Sequence, residues 1–397
     1  MKHSLLSTEE KTQLIQDYQP GAFFLATPKR TILTEGIFQH IAKSKETNQL
    51  NDLSKRVAHV FDAAKQAGIQ NPIVAGAVPF DPTQPVRLSV PAHVQFSDPL
   101  EFHQRDDEWE ATEPSYEVTP VPSPDVYMNG VNAGLAKIEE GYLSKIVLSR
   151  SLHLKSNREM NTKAILERLA RHNTTGYTFA ANVADPKSSH ERTLLGASPE
   201  LLLSKVGSTV VSNPLAGSRP RSSDPVEDQR RHDELLASAK DLHEHAVVVD
   251  AVAKALAPYC HTLDVPASPS VIQTEAMWHL STVVKGELID ADVSSIDLAL
   301  SLHPTPAVCG TPTADAREAI QAIEPFDRGF FTGMLGWSDT NGDGDWIVTI
   351  RCAEAEGHSL RLFAGAGVVK GSKAEEELAE TSAKFNTMLH AMGIHQL

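Results

Sequence analysis

The stretch that decides the fold is FFTGMLGWSDTNGDGDWIVTIRCAEAEGHSLRLFA, residues 330–364. It contains three runs rich in β-branched and aromatic residues, separated by short turns. The turn at Asp339–Gly344 holds Asp, Asn and Gly, the residues that tight hairpin turns favour. The segment therefore predicts consecutive antiparallel strands at Phe330–Trp337, Asp345–Ala353 and Leu360–Ala364.

The rest of the chain alternates further strand patterns with long helical ones. Residues 54–67 carry apolar residues at the spacing of one helical face, namely Val57, Val60, Phe61 and Ala64. Strands joined by short turns and interrupted by long helices favour a large α+β fold over a regular βαβ repeat. The other predicted helices are Pro124–Tyr142, Pro225–Leu256 and Lys373–Met392, and the other predicted strands are Gly21–Phe24, Thr31–Leu33, Lys145–Ser149, Tyr177–Val183, Thr193–Leu195, Leu201–Ser204 and Thr209–Ser212.

The segment between Phe80 and Pro124 has a different composition. It is dense in proline and acidic residues, which makes it the best candidate for a linker. Its short apolar runs also suit edge strands and long surface loops, so both interpretations stay open at this point.

Composition excludes several classes of partner. The chain has 36 Lys and Arg against 51 Asp and Glu, a net charge of −15, and no basic cluster. This balance argues against a surface for nucleic acid or for an anionic membrane. No stretch has the length and apolar character of a signal peptide or a membrane helix, so we expect a cytoplasmic protein. The three cysteines form no CxxC pair and indicate neither a disulfide framework nor a zinc site.

Two ionisable residues stand next to apolar strands. Lys145 begins the run KIVLS, so its ammonium could lie at the edge of a dry cavity, although a lysine at a strand end more often reaches water. Glu200 lies between a turn and the apolar run Leu201–Leu203, where a solvated acid is the alternative. Either residue could serve acid–base chemistry if the fold buries it.

Further carboxylates and one arginine could build a binding site. Glu244 lies in a helix among apolar residues, and Glu377 and Glu380 are three apart on one face of the last helix. Carboxylates from two helices that meet in a cleft would suit Mg²⁺, whereas an ordinary charged helix face is the alternative. Arg351 lies inside the predicted strand 346–353, which favours a desolvated guanidinium awaiting a carboxylate or an internal ion pair.

The chain resembles the chorismate-utilising enzymes, and within them most closely the isochorismate synthases of the siderophore, 2,3-dihydroxybenzoate type. The resemblance runs from about residue 20 to the C-terminus and is strongest after Ser144. It rests on ten motifs in the same order: SKIVLSR (144–150), LLGASPELLL (194–203), PLAGSRPR (214–221), KDLHEH (240–245), MWHL (277–280), LHPTPAVCGTP (302–312), EPFDRGFFTGMLGW (324–337), WIVTIRCA (346–353), RLFAGAGVV (361–369) and EELAET (376–381).

The family implies a single α+β domain over residues 1–397. Its core is two-layered and mostly antiparallel, with outer helices and an active site in the cleft between sheet and helices. We expect residues 1 to about 120 to be a more variable N-terminal part and residues 121–397 to be the catalytic part that carries the motifs.

The resemblance also implies roles for particular residues. Lys145 matches the general base that activates water for attack on C2 of chorismate, and Glu200 matches the general acid that protonates the departing C4 hydroxyl. Glu244 and Glu380 match the Mg²⁺ ligands, with Glu377 as a nearby supporting carboxylate. The matching substrate-binding residues are Arg351, with the backbone of Gly365, Ala366 and Gly367, for the pyruvyl carboxylate, and Gly217, Ser218, His279 and Thr305 in the pocket lining.

Two positions distinguish this chain from other members of the family. Ala216 stands where aminodeoxychorismate synthases carry a nucleophilic lysine, and Lys145 stands where anthranilate synthases carry glutamine. The resemblance therefore implies chorismate and isochorismate as substrate and product, no amidotransferase subunit, a monomer, and an isochorismatase as the next enzyme. A salicylate synthase, which eliminates pyruvate after the same hydration step, and a non-catalytic chorismate-binding relative are the alternatives.

Three residues depart from the pattern that close relatives often carry. Ala239, Leu242 and Ala379 stand where those relatives have charged side chains, while the implied ligands Glu244 and Glu380 are kept. These departures put the tuning of the metal site in doubt rather than the activity.

Overall fold

The computed structural model describes residues 14–102 and 115–394 of the chain. Within these residues, 17 strands form one continuous antiparallel sheet and three form a small second sheet. The strands of the first half are β1 (Phe24–Ala26), β2 (Thr31–His40), β3 (Ile73–Val78), β4 (Arg87–Ser97), β5 (Tyr116–Val121), β6 (Lys145–Ser156), β7 (Tyr177–Asn182), β8 (Thr193–Ser198), β9 (Leu201–Val206), β10 (Thr209–Asn213) and β11 (Leu215–Pro220).

The remaining strands complete both sheets, and β11, β14 and β13 form the small one. Strand β6 pairs along its length with the last strand, from Lys145 opposite Val369 to Lys155 opposite Ser359. The second-half strands are β12 (Cys260–Asp264), β13 (Ser270–Gln273), β14 (Met277–Ser281), β15 (Val284–Leu288), β16 (Gly310–Thr311), β17 (Met334–Asp339), β18 (Gly344–Val348), β19 (Cys352–Glu356) and β20 (Ser359–Val369).

The helices lie on the outside of the sheet. They are α1 (Leu53–Gln66), α2 (Pro124–Glu139), α3 (Thr162–His172), α4 (Pro225–Ala237), α5 (Ala239–Leu256), α6 (Ser295–Leu302), α7 (Thr313–Ile323) and α8 (Ala374–Ala391). Of the helices in the described ranges, none combines the length and apolar character that crossing a bilayer requires.

The alternation of side chains along the strands divides the core into layers. Ile73, Ala75 and Ala77 of β3 belong to a cluster built from strands and the loops beside them, whereas Val74 and Val78 of the same strand pack in a cluster with α1 and α6. Successive strand residues point to opposite faces, so one face of the strand meets other strands and the other meets helices. The fold is therefore the single α+β domain with an antiparallel core and outer helices that the sequence predicts.

The structure corrects several boundaries. The predicted helix Pro225–Leu256 is two helices, because Ser238 takes an extended conformation and its hydroxyl accepts a hydrogen bond from Asp241 N at the start of α5. The interpretation of residues 80–124 as a linker is wrong for the described part, because β4 and β5 are both members of the large sheet. Residues 103–114 of that segment lie outside the described residues.

Candidate active site

A cleft lies between the last strand, the small sheet and the helices α5 and α8. Its walls come from β6, β11, β14 and β20, and it encloses about 640 Å³ of space free of protein atoms, including its mouth. Charged and polar side chains converge on it from separate parts of the chain, and apolar residues also line it, among them Ala307, Val308 and Phe363. Such a largely apolar cleft with a few convergent polar groups is the usual form of a small-molecule site.

A buried ion pair joins one strand to one helix at the wall of the cleft. Lys145 Nζ, at the start of β6, lies 2.9 Å from Glu244 Oε1 of α5. The Lys145 side chain is fully buried, so the alternative of a lysine that reaches water at a strand end is wrong. Glu244 lines the cleft, and Lys145 lies directly behind it.

Gly367 of β20 makes this pair possible. A Cβ at Gly367 would lie 2.1 Å from Glu244 Oε1 and 3.2 Å from Lys145 Cε. Any larger residue would therefore displace the Glu244 carboxylate from its place beside the ammonium. The glycine in the motif RLFAGAGVV is required here for close approach, not for a turn.

A second carboxylate enters the cleft from α8. Glu380 Oε1 lies 2.6 Å from Lys384 Nζ and accepts a hydrogen bond from Ser218 Oγ at 3.1 Å. Burial alone would raise the pKa of Glu380, but the Lys384 ammonium and its hydrogen bonds hold that pKa below its usual value. Glu380 is therefore a carboxylate at neutral pH.

Glu377 lies one helical turn away from Glu380 and is buried. It accepts a hydrogen bond from Lys240 Nζ at 2.8 Å. Burial, together with the charge of Glu380, raises the pKa of Glu377 above its usual value despite the lysine. Glu377 does not line the cleft, so its position suits a support for Glu380 rather than a direct ligand.

Glu200 lies in the cleft at the turn between β8 and β9. Burial raises the pKa of its side chain to about 8, against the opposing effects of a hydrogen bond from the Leu215 backbone and the charges of Lys145 and Lys384. The alternative of a solvated acid at a strand start is wrong, because the residue is 2% exposed. Glu200 therefore holds its proton at neutral pH and can donate it.

The sequence predicted Arg351 inside a strand, but the residue lies between β18 and β19. Its φ is +50°, a left-handed conformation that few non-glycine residues adopt. Arg351 Nη2 contacts His279 Nε2 at 3.2 Å, and Nη1 donates to Thr387 Oγ1 at 3.3 Å. Burial and then the charge of Arg351 lower the pKa of His279 well below its usual value, so a neutral imidazole accepts this hydrogen bond.

The glycine-rich run at the end of β20 forms an open sheet edge. Up to Leu362 this strand has β19 on one side, and beyond it β6 is its one partner among the described strands. Gly365 O accepts a hydrogen bond from Lys384 Nζ at 2.8 Å, so this edge faces α8. Gly365 and Gly367 line the cleft, whereas Ala366, on the other face of the strand, is buried away from it.

Most of the residues that the sequence singled out meet in this one cleft. Those that line it are Glu200, Gly217, Ser218, Glu244, His279, Arg351, Gly365, Gly367 and Glu380. Those outside the lining are Lys145, Ala366, Glu377 and Thr305, the last of which has a buried hydroxyl with no hydrogen-bond partner among the described residues. Their roles in the reaction remain predictions.

Sequence reasoning missed two polar side chains of the cleft, Lys384 and Thr332. Lys384 follows Glu380 by four residues on the same helix, and this spacing could have indicated it. Thr332 lies in a loop whose conformation carries no clear signal in the sequence.

The donor set fits a hard divalent cation. Glu244 and Glu380 supply carboxylate oxygens from two different helices to one cleft. No ready-made cluster of three His, Cys, Asp or Glu side chains occurs within residues 14–102 and 115–394. A Mg²⁺ ion, which takes few protein ligands and fills its shell with water and substrate oxygens, does not need a third protein ligand.

The fold agrees with comparisons to known proteins. The chain belongs to the family of chorismate binding enzymes, whose family model matches residues 90–393. It is 62% identical over 392 residues to the isochorismate synthase DhbC of Bacillus subtilis (strain 168), a match that covers 98% of both chains. The predicted resemblance to the chorismate-utilising enzymes is thus confirmed.

Two other relatives point the same way. The vibriobactin-specific isochorismate synthase of Vibrio cholerae is 42% identical over 94% of this chain and 91% of its own length. A crystal structure from Bacillus anthracis, assigned as the 2,3-dihydroxybenzoate-specific isochorismate synthase DhbC, superimposes with a TM-score of 0.91 at 58% identity. That superposition covers 97% of this chain and 100% of the other.

Proposed function

We propose that this protein is an isochorismate synthase that isomerises chorismate to isochorismate for the synthesis of a siderophore precursor. The observation that carries the proposal is a buried acid that lines the cleft and a buried amine behind the cleft wall, in a chain 62% identical to an enzyme of this name. The reaction adds water at C2 of the ring and removes the hydroxyl at C4. It therefore needs one group to take a proton and another to give one.

Glu200 is suited to the acid step. With its pKa raised to about 8 by burial, the carboxyl is mostly protonated at neutral pH and can protonate the departing C4 hydroxyl. A carboxyl with an ordinary pKa would be ionised and unable to do so.

Lys145 is suited to the base step once its contact with Glu244 is relaxed. Its amine lies 2.9 Å from Glu244 Oε1 and has no hydrogen bond of ordinary geometry with the described residues. Lys145 must first lose its own proton to solvent, after which a water molecule beside Glu244 passes a proton to the amine as it attacks C2. Movement of the Glu244 carboxylate is therefore part of the proposal.

We propose Mg²⁺ as the cofactor, held by Glu244 and Glu380 with Glu377 as the supporting carboxylate. When bound, the ion supplies a positive centre for the ring carboxylate of the substrate. Arg351 and the open edge at Gly365 and Gly367 bind the pyruvyl carboxylate, since a buried guanidinium and backbone N–H groups suit an anion. These positive groups offset the net charge of −15, which would otherwise repel a dianionic substrate.

The proposal includes the partners of the reaction. Ala216 lines the cleft where aminodeoxychorismate synthases carry a lysine, and Lys145 stands where anthranilate synthases carry glutamine. We therefore propose that neither ammonia nor an amidotransferase subunit takes part. We further propose a monomer in solution and an isochorismatase as the enzyme that consumes the product.

The decisive experiment incubates the purified protein with chorismate and Mg²⁺ and separates the products by chromatography. We expect isochorismate in equilibrium with chorismate, with no requirement for glutamine or ammonia. Release of pyruvate with formation of salicylate would instead identify a salicylate synthase. Binding of chorismate without turnover would identify a non-catalytic relative.

A further inference from the structure

One arginine outside the cleft holds three of its wall residues in place. Arg328 is 3% exposed and lies four residues from Glu324, with which it forms a buried ion pair. Its guanidinium also donates to the carbonyl oxygens of Val308 and Val147, each at 2.8 Å, and to Thr332 Oγ1 at 3.3 Å. Val147, Val308 and Thr332 all line the cleft, whereas Arg328 does not.

These contacts use the full set of donors that a guanidinium offers. Nε donates to Glu324 Oε2 at 2.8 Å and Nη2 donates to Oε1 at 2.5 Å, in addition to the three contacts with the wall. Glu324 Oε1 also accepts a hydrogen bond from Ser149 N at 2.7 Å, which ties the pair to β6. A lysine has three donors on one atom and could not reproduce this pattern.

Thr332 is held in a strained conformation at the same wall. Its φ is +59°, which is a marked outlier for a β-branched residue. Thr332 N donates to Thr349 O at 2.8 Å, and its hydroxyl contacts both Arg328 and Phe331 O. Backbone strain of this kind persists only where surrounding contacts enforce it, and it concentrates at functional sites.

We propose that Arg328, supported by Glu324, is a positioning residue that fixes the cleft wall formed by Val147, Val308 and Thr332 against the substrate. The proposal rests on the proposed function, because the substrate is the chorismate ring. Stability alone does not account for the pair, since a well-packed apolar pair usually serves stability at least as well as a buried ion pair. The geometry accounts for it: the Arg328 guanidinium also lies over the buried Phe80 ring, but each of its hydrogen bonds beyond Glu324 ends on a residue of the wall.

The test uses Arg328→Lys, Thr332→Gly and the double variant in the full-length protein, with kcat, KM and thermal unfolding measured for each. We expect Arg328→Lys to lower kcat/KM at least about tenfold at a temperature where it is fully folded, because small displacements of a site wall misplace the reacting atoms. Thr332→Gly, whose backbone accepts a positive φ, should fold well and lose kcat/KM to a similar extent. The double variant should lose little more than either single variant, because both changes release the same wall.

The matched control is Arg361→Lys, which alters the guanidinium paired with the buried carboxylate of Glu354 outside the cleft. It should lower the unfolding temperature without changing kcat/KM. If Arg328→Lys and Thr332→Gly melt earlier but keep wild-type kcat and KM, the ion pair is structural and the proposal is wrong. Additive losses in the double variant would overturn it as well, whereas a wild-type enzyme without chorismate turnover would overturn the proposed function instead.

Discussion

Glu244 Oε1 occupies the space in which a side chain on Gly367 would begin, since a Cβ there would lie 2.1 Å away. The carboxylate and the glycine belong to different elements, α5 and β20, and their contact places the carboxylate 2.9 Å from Lys145 Nζ. The absence of a side chain at one position thus sets the geometry of an ion pair between two others.

We expect Gly367→Ala to lower kcat at least about a hundredfold, because the methyl group would push Glu244 away from both Lys145 and the cleft. Steady-state kinetics and circular dichroism would measure the effect. Gly357→Ala is the control: Gly357, unlike Gly367, has a positive φ, of +54°, so the change should cost stability, but a Cβ there would meet nothing within 4 Å and the activity should be kept. Wild-type activity in Gly367→Ala would show that the position of Glu244 does not matter.

We expect Lys145→Gln to lower kcat at least about a hundredfold, the lower end of what a positioned general base contributes. The change also removes one partner of a buried ion pair. We expect the free energy of unfolding to fall by about 1–3 kcal/mol, which is less than for a fully buried pair because Glu244 borders the cleft. Substitution of a lysine at a solvated strand end would instead cost well under about 1 kcal/mol. Near wild-type turnover in Lys145→Gln would contradict the proposed mechanism.

The raised pKa of Glu200 predicts a pH dependence. The proposed protonation of the departing C4 hydroxyl needs the protonated carboxyl of Glu200, so kcat should fall as pH rises through about 8. Stability should also fall as pH rises. Between the ordinary pKa of 4.5 and the raised pKa of about 8, the folded state keeps a proton that the unfolded state has lost. The free energy of unfolding therefore falls as pH rises through this range. Glu200→Gln should abolish turnover and flatten the stability profile in this range, and an unchanged stability profile would show that Glu200 is ionised in the folded protein.

Removal of Mg²⁺ should abolish turnover. EDTA is expected to stop the reaction and added Mg²⁺ to restore it, because in the proposed site Glu244 and Glu380 bind a cation that in turn binds the substrate. Calorimetric titration with Mg²⁺ provides a readout independent of activity, and Glu380→Gln should weaken binding at least about tenfold. Glu376→Gln on the exposed face of the same helix is the control, and full activity in excess EDTA would refute the metal assignment.

The motifs and periodicities of the sequence determined most of the architecture. Turn residues between apolar runs predicted the hairpins that became β17 to β20, because such signals act over a few residues. The helix predicted at Ser54–Ala67 is α1 within one residue at each end. The same local reasoning failed at Ser238, where a serine between two apolar patterns caps a new helix instead of continuing the first.

Apart from Lys384, the acidic, basic and glycine residues of the cleft were also predicted from the sequence, through motifs that the family shares. Their partners were decided by the tertiary structure alone. Lys145 and Glu244 are far apart in the sequence, and only the packing of α5 against the start of β6 brings Lys145 Nζ to 2.9 Å from Glu244 Oε1. Arg351 has the sequence pattern of a strand residue, yet its φ is +50° and its guanidinium contacts His279 and Thr387, which lie far away in the sequence. Local sequence specifies elements by short-range preference, whereas burial and charge pairing depend on which distant elements the fold brings together.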